Sequence, residues 1–76
     1  MNELPGLSTF VHLARSGSIS ATARSLDVPR STVTRRLARL EESIGEALIE
    51  RTTRSLRLTE AGQILARRGS SLVREL

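Results

Sequence analysis

Apolar side chains recur at helical spacing in the first third of the chain, which predicts two helices there. The first spans residues 5–15, where one face carries Leu4, Leu7, Phe10, Val11 and Ala14. Gly17 is expected to end it. A second, short helix is predicted with Ser20 as its N-cap and Leu26 near its end, because a serine hydroxyl accepts a hydrogen bond from a first-turn amide.

A third helix is predicted over residues 30–44, and its two sides differ sharply. The apolar residues fall at spacings of four, three and four, on one buried stripe: Val33, Leu37, Leu40 and Ile44. At about 100° per residue, the opposite side carries Ser31, Thr34, Arg35, Ala38 and Glu42, with Arg36 and Arg39 flanking it. Gly45 is expected to stop the helix. This short helix, tight connection and longer helix predict a helix-turn-helix, whose second helix enters the major groove of DNA.

The connection between these helices, residues 27–29, is predicted from Pro29, because the residue before a proline avoids the helical region. Pro29 brings no capping oxygen to the third helix. Its first-turn amides therefore need Asp27, water or a phosphate as a partner.

Two short strands are predicted after Gly45, over residues 48–51 and 55–58, with a turn at 52–54. Such a pair following a recognition helix forms a wing. Thr59 is expected to cap a fourth helix that continues to Leu76, with Glu60 favourable at its positive end. The predicted fold is mainly α: a winged helix-turn-helix with a three-helix core, a two-stranded wing and a C-terminal linker helix.

Charge is segregated along the chain, which has a net charge of +4 and 12 cationic residues, all of them Arg. Residues 30–39 hold four Arg and no acid, residues 51–57 hold three Arg and no acid, and residues 41–50 hold four acids and no base. Two basic patches result, as expected of a phosphate-binding surface. The alternative is an ordinary solvated face.

Several function classes are disfavoured by composition. Phe10 is the only aromatic residue, whereas recognition of single strands by stacking needs aromatic platforms. The chain has no Cys and a single histidine, His12, so we expect no disulfide framework, no metal site and no cofactor. No Ser/His/acid arrangement is credible around His12, and we expect no enzymatic activity. No apolar run approaches membrane-spanning length and no signal peptide is visible, so a cytoplasmic location is expected.

The residues resemble the N-terminal DNA-binding domain of the LysR-type bacterial transcription regulators. The resemblance covers nearly the whole chain, and the late part of the pattern is the most specific. Matching positions are Phe10-Val11, Gly17-Ser18-Ile19-Ser20-Ala21-Thr22-Ala23, Leu26, Val33-Thr34, Leu40-Glu41, Ile44-Gly45, Leu48-Ile49-Glu50-Arg51 and Leu58-Thr59-Glu60-Ala61-Gly62.

Four positions depart from the family pattern. Ile49 stands where the family usually has Phe, and Pro29 where it often has a polar cap. Arg30 and Arg36 stand where Gln is common. Because Arg favours guanine where Gln favours adenine, the last two changes affect the expected operator preference and not the fold.

The resemblance implies a division of the chain and of the whole protein. Residues 1–58 would form the winged helix-turn-helix DNA-binding domain, and residues 59–76 would begin the linker and dimerisation helix. An effector-binding domain of two α/β lobes, absent from this chain, would bind a small-molecule effector. The whole protein would be a tetramer, associated with the bacterial nucleoid.

Four residues are predicted to contact bases, because they lie near the start of the third helix on its exposed side and match the family's base-reading positions: Arg30, Ser31, Thr34 and Arg35. Arg35 can bond a guanine edge bidentately; its alternative is a phosphate contact. Predicted phosphate contacts are Ser18, Ser20, Arg36, Arg39, Arg51 and Arg57. The resemblance places Arg54, at the wing turn, in the minor groove, where narrow A·T-rich segments concentrate negative potential.

Some of these assignments have an open alternative. Arg36 and Arg39 could instead form surface pairs with Glu42 or Glu46. Arg51 could hold the wing against Glu50 or the end of the third helix. Ser20 could serve only as a cap.

Dimerisation is predicted through the C-terminal helix, where Ile64, Leu65, Leu72 and Leu76 fall within one arc. Ala61 and Leu65 should cover the domain's own core, whereas Leu72 and Leu76 lie beyond its reach. The alternative is a frayed, solvated terminus. The predicted function is sequence-specific binding of double-stranded DNA by a transcription regulator. The alternatives are a winged-helix protein-interaction module and a non-specific chromosome-binding domain.

Overall fold

The computed structural model describes residues 4–51 and 56–75, and it confirms the predicted winged helix-turn-helix. In chain order the elements are α1 (Leu4–Ser16), α2 (Ile19–Leu26), α3 (Arg30–Ile44), β1 (Ile49–Arg51), β2 (Leu56–Leu58) and α4 (Glu60–Glu75). The limits of α3 agree with the prediction to the residue. The predicted turn at 52–54, Ser55 and Leu76 lie outside the described residues.

One core holds the helices and the start of the wing together. α1 packs against α2, α3 and α4, and α2 packs against α3. The buried apolar side chains come from all three N-terminal helices and from the residue before β1: Phe10, Leu13, Ala23, Val33, Leu37, Leu40 and Leu48. Ala61, Leu65 and Ala66 of α4 pack against this cluster. Because α3 is fixed along its buried side, its opposite side is presented rigidly to solvent.

The N-cap of α2 is Ser18, so the prediction of Ser20 was wrong. Ser18 has the extended backbone that an N-cap needs (φ −144°, ψ 133°), and its Oγ accepts a hydrogen bond from the Ala21 amide at 3.1 Å. Gly17, with φ +72°, reverses the chain just before it. Ser20 already lies inside the helix, where its own amide belongs to the first turn.

The ends of α3 are defined by backbone conformation. Asp27 closes α2 in the left-handed region (φ 56°), and its amide donates to the carbonyls of Ala23 and Arg24. Pro29 is the N-cap of α3 and makes no side-chain capping bond, as expected. Gly45 ends the helix with φ 84°, and its amide donates to the Glu41 carbonyl at 2.8 Å.

Ile44 is not buried, contrary to the prediction from its spacing. It is 43% exposed, whereas Val33, Leu37 and Leu40 are buried on the same stripe. Ile44 is the last residue of α3, and beside it the surface opens into a groove shared with Leu48 and α4. The stripe identifies the inward face of the helix, but the core does not extend under its last residue.

The wing is an antiparallel pair of strands with a defined register. Ile49 lies opposite Leu58, Glu50 opposite Arg57 and Arg51 opposite Leu56. Leu48, predicted as part of the first strand, is instead a buried residue just before it.

α4 begins as predicted and packs tightly at two glycines. The Thr59 Oγ1 accepts from the Gly62 amide at 3.0 Å, which caps the helix. A Cβ at Gly62 would overlap the carbonyl oxygen of Leu48. Gly69 lies buried against Leu7 and Val11 of α1.

Candidate nucleic-acid interface

The first half of α3 presents polar side chains on the side opposite the core. Arg30, Ser31, Thr34 and Arg35 are all exposed, while Val33 between them is fully buried. One turn further on, Ala38 and Arg39 are also exposed. The structure thus brings the four predicted base-contacting residues onto one continuous surface.

One side chain of this surface, that of Thr34, is bonded to the backbone of its own helix. The Thr34 hydroxyl donates to the Arg30 carbonyl at 3.2 Å, a bond from one turn to the next within the helix. Thr34 is exposed, and its hydroxyl oxygen retains lone pairs that can accept further hydrogen bonds. A helix that displays guanidinium and hydroxyl groups on a rigid backbone can offer hydrogen bonds to base edges.

Arg36 lies on the flank of α3 and points toward α1. It is half-buried, and its guanidinium Nη1 donates to the Thr9 Oγ1 at 3.5 Å. Thr9 is itself buried, and its hydroxyl donates to the Pro5 carbonyl at 2.7 Å. Arg36 therefore connects α3 to α1, and its predicted phosphate contact would have to come from the remaining guanidinium donors.

The two serines at the start of α2 are both half-buried. The Ser18 Oγ accepts the capping bond, and its carbonyl accepts the Thr22 hydroxyl at 2.8 Å. That hydroxyl also hydrogen-bonds with the Ser16 Oγ at 2.9 Å. This network fixes the entry to the helix-turn-helix.

In the wing, the register places Glu50 across from Arg57. Because neighbouring residues of a strand point to opposite faces, Arg51 lies on the other face from this pair. The proposed alternative for Arg51, pairing with Glu50, does not match this arrangement. Arg51 and Arg57 are both exposed. Arg54 lies outside the described residues.

Glu41 has a structural role that the sequence analysis did not find. Its carboxylate Oε2 accepts hydrogen bonds from the Leu48 amide at 2.8 Å and from the Ile49 amide at 3.2 Å. The carboxylate of α3 thereby holds the first residues of the wing. No local pattern in the sequence indicates this contact, because it joins residues seven and eight positions apart across the end of a helix.

On α4, Leu65 packs against the core and Ile64 is 40% exposed. Ile64 lines the same groove as Ile44, and the groove also includes charged side chains from Glu46, Glu60 and Arg68. The side chain of Leu72 and all of Leu76 lie outside what the structure describes, so the remaining dimerisation predictions stay predictions.

Two features are absent from residues 4–51 and 56–75. No helix in that part of the chain is long and apolar enough to cross a membrane. The same residues contain no cluster of three or more His, Cys, Asp or Glu side chains able to hold a metal ion.

The arrangement has clear counterparts among known proteins. The family model described as "Bacterial regulatory helix-turn-helix protein, lysR family" matches residues 4–63. The chain belongs to the LysR family. The probable HTH-type transcriptional regulator LtrA of Klebsiella pneumoniae is 45% identical to this LysR-family chain over 65 residues. That match covers 86% of the chain and 21% of LtrA, so the chain spans about a fifth of the relative's length.

Solved structures of the family share the fold. The BenM_DBD/catB site 1 DNA complex superposes with a TM-score of 0.91 at 27% identity, covering 99% of this chain and 83% of that one. Full-length CbnR complexed with its target DNA gives a TM-score of 0.88 at 30% identity, covering 97% of this chain and 25% of that one. Both structures contain DNA, and CbnR is a LysR-family transcriptional regulator.

Proposed function

We propose that this LysR-family domain binds double-stranded DNA sequence-specifically and thereby regulates transcription, with α3 in the major groove and the wing over the adjacent minor groove. The observation that carries the proposal is the exposed surface of α3, where Arg30, Ser31, Thr34 and Arg35 lie together opposite a buried stripe. A surface used only for protein contact would be expected to present apolar or acidic residues there. The presence of DNA in the BenM and CbnR structures supports the same function.

The proposed base contacts come from these four residues. Arg35 lies in the middle of the exposed surface, where a guanidinium can donate two parallel hydrogen bonds to guanine O6 and N7. Ser31 and Thr34 offer shorter hydroxyls that can donate to or accept from base edges. Ala38 is exposed and small, so it allows the backbone of α3 to lie close to the groove floor.

Phosphate contacts are proposed from the surrounding residues: Ser18, Ser20, Arg36, Arg39, Arg51 and Arg57. Arg39, Arg51 and Arg57 are exposed cations, the first on α3 and the other two on the strands of the wing. Such contacts position a protein on the duplex without reading its sequence. Arg54, at the wing turn, is proposed to enter the minor groove.

The whole protein is proposed to be an oligomeric regulator, with residues 1–58 as the DNA-binding domain and 59–76 as the start of a dimerisation helix. A further domain would bind a small-molecule effector, and the protein would be associated with the nucleoid. The length of LtrA relative to the chain supports additional domains in relatives. Exposed Ile64 on α4, beside exposed Ile44, supports pairing through this helix. Two recognition helices would then reach half-sites about one turn of DNA apart.

Selection of duplexes from a random pool tests the proposal. We expect the 76-residue chain to enrich a defined half-site, and its affinity for that site to fall steeply with ionic strength as phosphate contacts release counterions. Enrichment of no motif, together with equal affinity for all duplexes, would contradict sequence-specific binding and favour a non-specific chromosome-binding domain.

A further inference from the structure

Hydrogen bonds around Leu48 join three elements: the recognition helix α3, the start of the wing and the start of α4. On one side, its amide and that of Ile49 donate to the Glu41 carboxylate of α3, at 2.8 and 3.2 Å. Glu41 is half-buried and Leu48 is almost fully buried, so these bonds are partly shielded from solvent. Hydrogen bonds to an ionised acceptor are among the stronger ones in proteins.

On the other side, the same short segment is held by the start of α4. The Thr59 amide donates to the Leu48 carbonyl at 3.0 Å, and the Thr59 hydroxyl donates to the Ala47 carbonyl at 2.8 Å. Gly62 allows the first turn of α4 to lie directly against the Leu48 carbonyl. Segment 47–49 is therefore tied to α3 through its amides and to α4 through its carbonyls.

Among the described residues, the wing also contacts the core through the half-buried side chains of Ile49, Leu56 and Leu58. It is a pair of three-residue strands, and a two-stranded hairpin alone is only marginally stable in water. Because apolar packing is non-directional, the angle of the wing relative to α3 depends on the hydrogen bonds that hold its first strand. Glu41 is the one side chain of α3 with hydrogen bonds to that strand among the bonds described above.

We propose that Glu41 is a positioning residue for DNA recognition. By holding the Leu48 and Ile49 amides, it fixes the wing at the height and angle from which the wing reaches the minor groove while α3 occupies the major groove. Glu41 does not touch DNA itself. This inference rests on the proposed DNA binding. It predicts that loss of Glu41 weakens the preference for particular base pairs beside the half-site more than the preference for the half-site itself.

The test compares four variants in two binding assays. Each is measured against the selected half-site flanked by A·T-rich or by G·C-rich DNA. Glu41→Ala removes the acceptor, Glu41→Asp keeps the charge but shortens the reach, and Glu41→Gln keeps the length and an acceptor oxygen. Glu42→Ala is the matched control, because Glu42 is the exposed neighbour on α3 and its loss changes the net charge equally.

For the unmodified chain we expect the A·T-flanked site to bind at least about fivefold tighter, the low end of what one base-pair position contributes. Glu41→Ala and Glu41→Asp should bring this ratio close to one while preserving preference for the half-site over scrambled DNA. Glu41→Gln and Glu42→Ala should retain the ratio, even where charge removal shifts both affinities together. In the free proteins, amide exchange should accelerate at Leu48 and Ile49 only in the first two variants.

Three results would overturn the proposal. If folded Glu41→Ala and Glu41→Asp keep the flank ratio, Glu41 does not position the wing. If both variants lose half-site and flank preference in proportion, or fail to fold, Glu41 acts only in general stability. If the unmodified chain binds its half-site equally well with A·T-rich and with G·C-rich flanks, the proposed contact of the wing with the minor groove is wrong, and so is the proposed role of Glu41. Absence of any duplex binding would instead refute the proposed function as a whole.

Discussion

Replacement of Gly62 by alanine should destabilise the domain severely, although alanine is the better helix former. A Cβ there would overlap the Leu48 carbonyl oxygen and lie 3.1 Å from the carbonyl carbon. Relief requires the first turn of α4 to move away, which breaks the hydrogen bonds from Thr59 to Leu48 and Ala47. Each such bond contributes about 1 kcal/mol net, and overpacking costs about 1–3 kcal/mol.

The gain in helix propensity offsets only about 1 kcal/mol of this, which leaves a net loss of about 2–4 kcal/mol. For a domain of this size, that loss lowers Tm by at least about 10 °C. Thermal unfolding followed by far-UV circular dichroism measures it in the absence of DNA.

Gly69→Ala is the matched control, since it makes the same change in the same helix. Its Cβ would lie 2.9 Å from the Cδ1 of Leu7, the end of a flexible side chain that can rotate away, and 3.4 Å from the Cγ2 of Val11, an ordinary contact distance. We expect its stability to stay within about 1 kcal/mol of the unmodified protein, because the propensity gain offsets the rearrangement. Equal stability of Gly62→Ala and the unmodified chain, or a larger loss for Gly69→Ala, would contradict the close packing of α4 against the Leu48 carbonyl.

Three further substitutions test the helix cap and the dimer. In thermal unfolding, Ser18→Ala should lower the stability of the domain by about 1 kcal/mol, and Ser20→Ala should lower it by clearly less. The reverse order would contradict the assignment of Ser18 as the cap. Ile64→Glu should convert a dimer to a monomer in sedimentation experiments without unfolding the domain, because Ile64 is exposed while Leu65 faces the core. If the unmodified chain is monomeric at high concentration, with and without DNA, the prediction of dimerisation through this part of α4 is wrong.

Local signals in the sequence were sufficient to predict the order and type of the helices and strands. Pro29 and Gly45 restrict the backbone on either side of α3, and they predicted its limits to the residue. The four proposed base contacts also follow from periodicity, because the buried stripe determines which side of the helix is exposed. Their exposure agrees with the prediction, whereas their contacts with DNA stay a prediction.

The features that the sequence did not reveal depend on the conformation of neighbours or on long-range contacts. Ser18 and Ser20 are chemically equivalent candidates for a cap, and the backbone around Gly17 decides between them. Periodicity placed Ile44 on the inward face but could not show that the core ends before it. The pairing of Glu50 with Arg57 depends on the strand register, and a shift of one residue would exchange the faces.

The central claim is that the exposed surface of α3 reads bases, and comparing Arg35→Ala with Arg39→Ala on selected and scrambled duplexes tests it most directly. Both residues are exposed cations of the same helix, so each substitution removes the same charge. We predict that Arg35→Ala weakens binding to the selected site by about 1–3 kcal/mol and relaxes preference at one base position. Arg39→Ala should weaken binding equally on both duplexes. An equal loss on selected and scrambled DNA for Arg35→Ala would contradict base reading by this residue and reduce it to a phosphate contact.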